Sequence, residues 1–349
     1  MKREEIDFPP EHEGLREDVR TLGGMVGDLL REQGGAGLFE RVEAAREAAI
    51  ARRAGEAPEP PLDALCRFET AAYAAAFARA FAAWFRVVNL AEQVHRIRRG
   101  ADRAVAGDVQ PESLEAVFTE LRESGRSWEA VAPALASLRI EPVLTAHPTE
   151  ATRRSVLEKE QRMAAYLVER MNPRVGARAA ARLIDRVRME LTIAWQTAEQ
   201  SESRPTVADE AEHAHYYLAN VLYRVAPVLH ENLAEAVQAA WGVELHPAEV
   251  PTLLCFGSWV GGDMDGNPNV GPDTVLDTLA EQRRQVIGNY LREIRRLNRL
   301  LSQTSGRVEV SDALSQGIAE VRQRLPEVFD AVPARHADMP YRVFLYLVE

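Results

Sequence analysis

Two stretches of this 349-residue chain concentrate residues whose types and spacing could do chemistry. The first is Thr145-Ala-His147-Pro-Thr149-Glu150-Ala-Thr-Arg153-Arg154. The run before it, 140–146, has β-branched residues and reads as a strand that delivers His147 to a loop. If a helix begins near Thr149, its free N–H groups and dipole make an anion site with His147 held just in front. Arg153 and Arg154 then lie in the first two turns, where the dipole disfavours cations unless an anion compensates, so they point to a phosphate or carboxylate partner. A buried histidine at a strand end, with its arginines in surface ion pairs, is the plainer reading of the same residues.

The second stretch is Ser258-Trp259-Val-Gly261-Gly262-Asp263-Met264-Asp265-Gly-Asn267-Pro-Asn269, which opens out of a strand-like run at 253–259. Five glycines from Gly257 to Gly271 let the backbone pass close to a ligand. Asp263 and Asp265 could bind a metal or an arginine. An EF-hand is excluded, because Pro268 stands where its sixth-position glycine is required. An Asx-rich turn that caps the following helix is the alternative. The remaining histidines offer less. His213 and His215 are two apart on a predicted helix and face different sides, whereas a zinc pair wants a spacing of three or four. His95, His230, His246 and His336 read as structural, and no nucleophile elbow, dinucleotide fingerprint or Walker loop occurs.

The elements that must position these residues are mostly helices. Periodic apolar spacing predicts helices over 15–32 and 38–53, separated by a glycine-rich turn. A proline-rich connector at 54–61 precedes a long helical pattern over 62–98, then helices over 111–124 and 127–138. After the first strand, helices are predicted over 150–171, 174–199 and 207–241, and after the second over 273–301. Two strand-to-loop junctions, each followed by helix, imply a sheet or barrel with its site at the strands' C-terminal ends, although two strands cannot close a barrel. The final residues, 339–349, read as an apolar helix start without a cap, as expected of a tail that docks or of an element cut short.

Composition bounds the function. With 46% apolar and 27% charged residues the chain is globular, and its length suits about two domains. A net charge of −11 argues against general binding to nucleic acid or an anionic membrane. All but two of the 42 basic residues, Lys2 and Lys159, are arginine, the planar fork suited to carboxylate and phosphate. A Schiff-base or P-loop lysine is thereby all but excluded. Cys66 and Cys255 are too few for a disulfide framework, the N-terminus lacks an apolar signal region, and a reducing cytoplasm is the expected location. The apolar stretch 71–90 carries Arg79 and Arg86 and reads as a buried helix rather than a membrane span.

Together the two stretches are recognisable. Val143-Leu-Thr-Ala-His-Pro-Thr-Glu150 with Arg153-Arg154 resembles the active-site histidine signature of phosphoenolpyruvate carboxylase, and Phe256-Gly-Ser-Trp-Val-Gly-Gly-Asp-Met-Asp-Gly-Asn-Pro-Asn-Val270 is similar to a second signature of that family. Weaker likenesses run collinearly through Leu38-Phe-Glu-Arg-Val-Glu43, Asn89-Leu-Ala-Glu-Gln-Val-His95, Arg204-Pro205 with Asp209-Glu210, and Pro340-Tyr-Arg342. The chain resembles only the N-terminal portion of the family enzyme. The resemblance implies a mainly α fold: an N-terminal helical region over 1–138, then over 139–349 the start of a (β/α)8 barrel, incomplete here, with long helical insertions carrying both motifs.

It also implies an activity, the conversion of phosphoenolpyruvate and bicarbonate to oxaloacetate and phosphate through carboxyphosphate and an enolate. His147 is then the catalytic base that takes the carboxyphosphate proton. Trp259, Gly261, Gly262, Asp263, Asp265 and Asn267 wall the substrate pocket against water, and Arg153 and Arg154 bind an anion or activator. Mg²⁺ or Mn²⁺ is the implied cofactor, with ligands in a C-terminal remainder that is also the expected partner, and the complete enzyme is expected to be a tetramer. Two departures bear on this. The family usually has arginine where this chain has Met264, and also at Ser201, a position associated with a sugar-phosphate activator. A catalytically inactive anion-binding or regulatory module is the alternative.

Overall fold

The structure, a computed structural model, describes residues 9–145, 153–198, 206–265 and 267–349. Helices dominate. The first, α1 (Glu13–Leu29), runs into a π-helical turn at Leu30–Gly34 that Gly35 ends at φ 84°, and α2 (Ala36–Arg53) follows. The predicted long helix is two: α3 (Leu62–Leu65) is a single turn, and α4 (Ala71–Ala106) restarts where the Thr70 hydroxyl accepts the Tyr73 N–H. The Thr70 side chain satisfies one of the four N–H groups a helix start leaves free, which is why the break falls there. Gly107, left-handed at φ 73°, closes α4 eight residues beyond the expected end at Arg98. Next come α5 (Leu114–Glu123) and α6 (Trp128–Ser137), then strand β1 (Val143–Leu144).

Helix α7 (Arg154–Arg170) starts with Arg153 as its N-cap, later than the predicted start at 150, and α8 (Ala177–Gln196) follows. Helix α9 (Val207–Tyr216) opens on a capping box in which Thr206 and Asp209 satisfy each other's backbone N–H. A π-helical turn at Tyr217–Leu222 then joins it to α10 (Tyr223–Trp241). Strand β2 (Gly257–Ser258) precedes α11 (Pro272–Leu300), α12 (Asp312–Arg324), α13 (Pro326–Asp330) and α14 (Pro340–Val348). The sequence reading assigned nothing over 302–338, where α12 and α13 lie.

The described residues fall into two compact units. The first draws on 1–126, 150–204 and 239–242. Its core interleaves Leu22 and Val26 of α1, Val42 of α2, Val87 and Leu90 of α4, Met163 of α7 and Val187 of α8. By length and composition α4 would suffice to cross a bilayer, yet its Phe77, Ala80, Val87 and Val94 stripe is buried in this core. Asp18 is buried there too, 2.5 Å from Arg98 and 3.5 Å from Arg170.

The second unit draws on 127–149, 205–238 and 243–349 and contains both strands. They pair in parallel, Val143 opposite Gly257 and Leu144 opposite Ser258. The ladder continues upstream through Ile140 and Leu254, the Ile140 amide donating to the Leu253 carbonyl at 2.7 Å. Parallel pairs are normally covered on both faces, but Ile140 and Val143 are exposed in the described chain. In the same unit α9 and its π turn pack on α11, and α14 packs on α11 and α12.

Candidate functional site

The parallel pairing sets two loops side by side. The Trp259 amide donates to the Leu144 carbonyl at 2.9 Å, so the glycine-rich loop leaves β2 beside the residue that ends β1. The Trp259 carbonyl then accepts from both the Gly262 and Asp263 amides, at 3.0 and 2.9 Å, which folds the loop back in a tight turn. Gly261 supplies the left-handed residue of that turn at φ 74°. Farther on, the Asp263 carboxylate accepts the Asp265 amide and the Asn267 side-chain oxygen accepts the Asn269 amide, both at 3.0 Å. These are Asx turns, and they lead into α11, where the Thr274 hydroxyl accepts the Gly271 amide.

Behind the loop is a cavity of about 170 Å³. Its walls are Phe256, Gly257, Ser258, Val260, Gly261 and Gly262 from the strand and loop, Leu218 from the π turn, and Val275, Thr278, Leu279 and Gln282 from α11. Gly261 and Gly262, expected in a substrate pocket, line this cavity, and the α11 and π-turn residues beside them were not singled out from the sequence. The available signal was the spacing of Val275, Thr278, Leu279 and Gln282, one face of a helix that begins directly after the motif. Trp259 is 60% exposed and Met264 55%, so neither indole nor thioether fills this cavity. Asp263 and Asp265 are exposed as well.

Three polar side chains on α9 and α11 are buried. Thr278 is buried against Gly261, and its hydroxyl donates to the Thr274 carbonyl at 2.8 Å. Asn289 of α11 is 2% exposed, and its amide donates to the Ala219 carbonyl in the π turn at 3.1 Å. His215 on α9 is also 2% exposed, and neither ring nitrogen has a partner among the described residues. Burial pushes its imidazole below the ordinary value, against the opposing pull of Glu281. Hydrogen bonds from Arg284 and Gln285 hold the Glu281 carboxyl down at about 2.

Arg153 and Arg154 fall in the first unit. The Arg154 guanidinium pairs with Glu158 at 2.9 Å across one exposed turn of α7, an ordinary i, i+4 ion pair. His147, Thr149 and Glu150 lie outside the described residues, as do Ser201, Arg204, Pro205 and Gly266. Among the described residues no three His, Cys, Asp or Glu side chains converge in a way that could hold a metal ion. The implied Mg²⁺ or Mn²⁺ therefore has no fitting ligand set among the described residues.

Comparison with known proteins covers almost the whole chain. The family model described as phosphoenolpyruvate carboxylase matches residues 15–349. A phosphoenolpyruvate carboxylase of Xanthomonas campestris pv. campestris (strain 8004) is 46% identical over 331 residues, covering 94% of this chain and 36% of the relative. Those of Roseiflexus castenholzii (strain DSM 13941 / HLO8) and Rhodothermus marinus are 34% and 33% identical, covering 96% and 82% of this chain and 35% and 31% of theirs. The chain thus spans about a third of the length of these curated relatives. With both signature stretches lying in order inside the matched region, the chain belongs to the phosphoenolpyruvate carboxylase family.

Proposed function

We propose that this chain is the N-terminal portion of a phosphoenolpyruvate carboxylase, which forms oxaloacetate and phosphate from phosphoenolpyruvate and bicarbonate. One observation carries the reading furthest. Leu144, three residues before His147 in sequence, pairs with Ser258, the residue before Trp259, so the two signature segments leave adjacent parallel strands at the same end. Ligands and catalytic groups gather at that end of parallel β/α architectures. The exposed Ile140 and Val143 fit a (β/α)8 barrel whose other strands come from the remainder of the enzyme. In this reading the barrel starts at about residue 139, after an N-terminal helical region.

In the proposed reaction, bicarbonate oxygen attacks the phosphorus of phosphoenolpyruvate, and the bond from phosphorus to the enol oxygen breaks. Carboxyphosphate and the enolate of pyruvate result. His147 takes the carboxyphosphate proton, carbon dioxide and phosphate separate, and the enolate carbon attacks carbon dioxide to give oxaloacetate. A positioned base of this kind is worth roughly 10²- to 10⁴-fold. Water must be kept out, because protonation of the enolate gives pyruvate instead. The Trp259–Asn267 loop serves that purpose, and Arg153 and Arg154 bind an anion at the start of α7.

The test is an assay for oxaloacetate from phosphoenolpyruvate, bicarbonate and Mg²⁺, with the 349-residue chain alone and with the C-terminal remainder. Activity that needs the remainder supports the reading. Absence of activity in both, with anion binding that Arg153→Ala abolishes, would replace it with an anion-binding module.

A further inference from the structure

The junction between α9 and α10 is not regular helix. Residues Tyr217–Leu222 form a π-helical turn, a feature that sequences rarely retain without a local cause and that recurs at functional sites. Two features of the structure bear on its cause. Pro227 has no N–H to give the Tyr223 carbonyl one turn earlier, which weakens the regular ladder just downstream. From the other side, the Asn289 amide of α11 donates to the Ala219 carbonyl at 3.1 Å, a side-chain partner for a carbonyl of the helix ladder. Asn289 is itself fixed, since the Arg292 guanidinium donates to its side-chain oxygen.

A buried asparagine between two helices carries a desolvation cost that leucine would avoid, so its hydrogen bonds must accomplish something an apolar contact could not. What they hold is a register. Leu218, next to Ala219, lines the cavity behind the Gly261-Gly262 turn together with Val260, Val275, the half-exposed Leu279 and the polar Ser258, Thr278 and Gln282. A regular helix through 217–222 would advance each residue by a different angle and turn the Leu218 side chain relative to that wall.

We propose that Asn289 is a positioning residue, which pins the π turn at Ala219 and so keeps Leu218 in the cavity wall behind the Gly261-Gly262 loop, a wall that in the complete enzyme keeps water from the enolate. The inference rests on the reaction proposed above, in which an enolate beside that loop either attacks carbon dioxide or takes a proton from water. A leaking wall favours the second fate: phosphoenolpyruvate and water then give pyruvate and phosphate, with bicarbonate regenerated. Loss of one anchoring hydrogen bond is expected to raise the pyruvate-to-oxaloacetate ratio about fivefold.

The ratio is the informative readout, because a variant that merely folds less well lowers both products together. The complete enzyme would be made with Asn289→Asp, which keeps the shape and the Arg292 partner but turns a carboxylate oxygen towards the Ala219 carbonyl. Leu218→Ala would be made in parallel. Both variants are expected to shift the ratio towards pyruvate while oxaloacetate is still formed. A ratio equal to wild type in Asn289→Asp overturns the inference, and if that variant does not fold, an unchanged ratio in Leu218→Ala overturns it instead. Failure of the wild-type enzyme to form oxaloacetate at all would count against the reaction, a separate outcome visible before either variant is read.

Discussion

Gly261 and Thr278 are in such close approach that a Cβ on the glycine would overlap the threonine hydroxyl. The contact joins the turn of the glycine-rich loop to the first helical turns of α11, and it works only because Gly261 has no side chain and sits at φ 74°. Gly261→Ala therefore meets two penalties, left-handed backbone strain of about 1–2 kcal/mol and the overlap itself. Thermal unfolding should show a lowered midpoint. Adding Thr278→Ala should recover only the part due to overlap, and full recovery would mean that the backbone conformation contributes nothing.

The role proposed for His147 is one that product analysis can isolate. In the complete enzyme His147→Asn is expected to abolish oxaloacetate formation while bicarbonate-dependent phosphate release persists, since the first bond exchange does not use the base. Unchanged oxaloacetate output from that variant would remove His147 from the mechanism.

His215 makes a pH-dependent contribution to stability. Its native pKa lies below the ordinary 6.5, because burial disfavours the charged ring. Between those two values the unfolded chain binds the extra proton, so the contribution is complete above about 6.5 and is lost as pH falls towards the lowered native value. Glu281, ionised throughout this window, is the charged group acting on it among the described residues. His215→Leu should flatten part of the acid-side fall in unfolding midpoint. His95 and His336 are also lowered by burial but are present in both proteins, so the difference reports His215 alone. Superimposable midpoint-against-pH curves would refute this.

Asp18 secures the first unit in a way that denaturant should expose. Its side chain is 6% exposed and faces two arginines, at 2.5 and 3.5 Å. Removing the carboxylate takes the buried partner from Arg98, while Arg170 keeps Glu17 at 3.0 Å, and Asp18→Ala is expected to cost about 2 kcal/mol in urea unfolding. A cost below about 1 kcal/mol would class the group with exposed ion pairs.

Much of this was legible in the sequence. Helices α2, α8 and α11 lie within about three residues of their predicted limits, because their apolar residues recur at helical spacing and their ends carry glycine or proline. The first strand segment was legible as a run with β-branched residues and the second as a strand-like apolar run, though only two residues of each pair as strand. The sequence reading missed the break at 67–70, since apolar spacing continues across it while Thr70 restarts the ladder. It also missed α12, an amphipathic helix capped by Ser311.

Sequence alone determined family membership, because the two signature stretches are long, ordered and specific in residue type. It also determined that the chain is helical and acidic with arginine as its cation, which follows from composition and period. Tertiary structure decided the pairing of Leu144 with Ser258, the seat of Thr278 against Gly261, and the bond from Asn289 to Ala219. Each of these joins residues separated by 17 to more than 100 positions, and local propensity carries no information about which distant carbonyl, hydroxyl or missing side chain a residue will meet. That choice is made by packing, where a buried polar group must find its partner and a glycine permits an approach that any other residue would block.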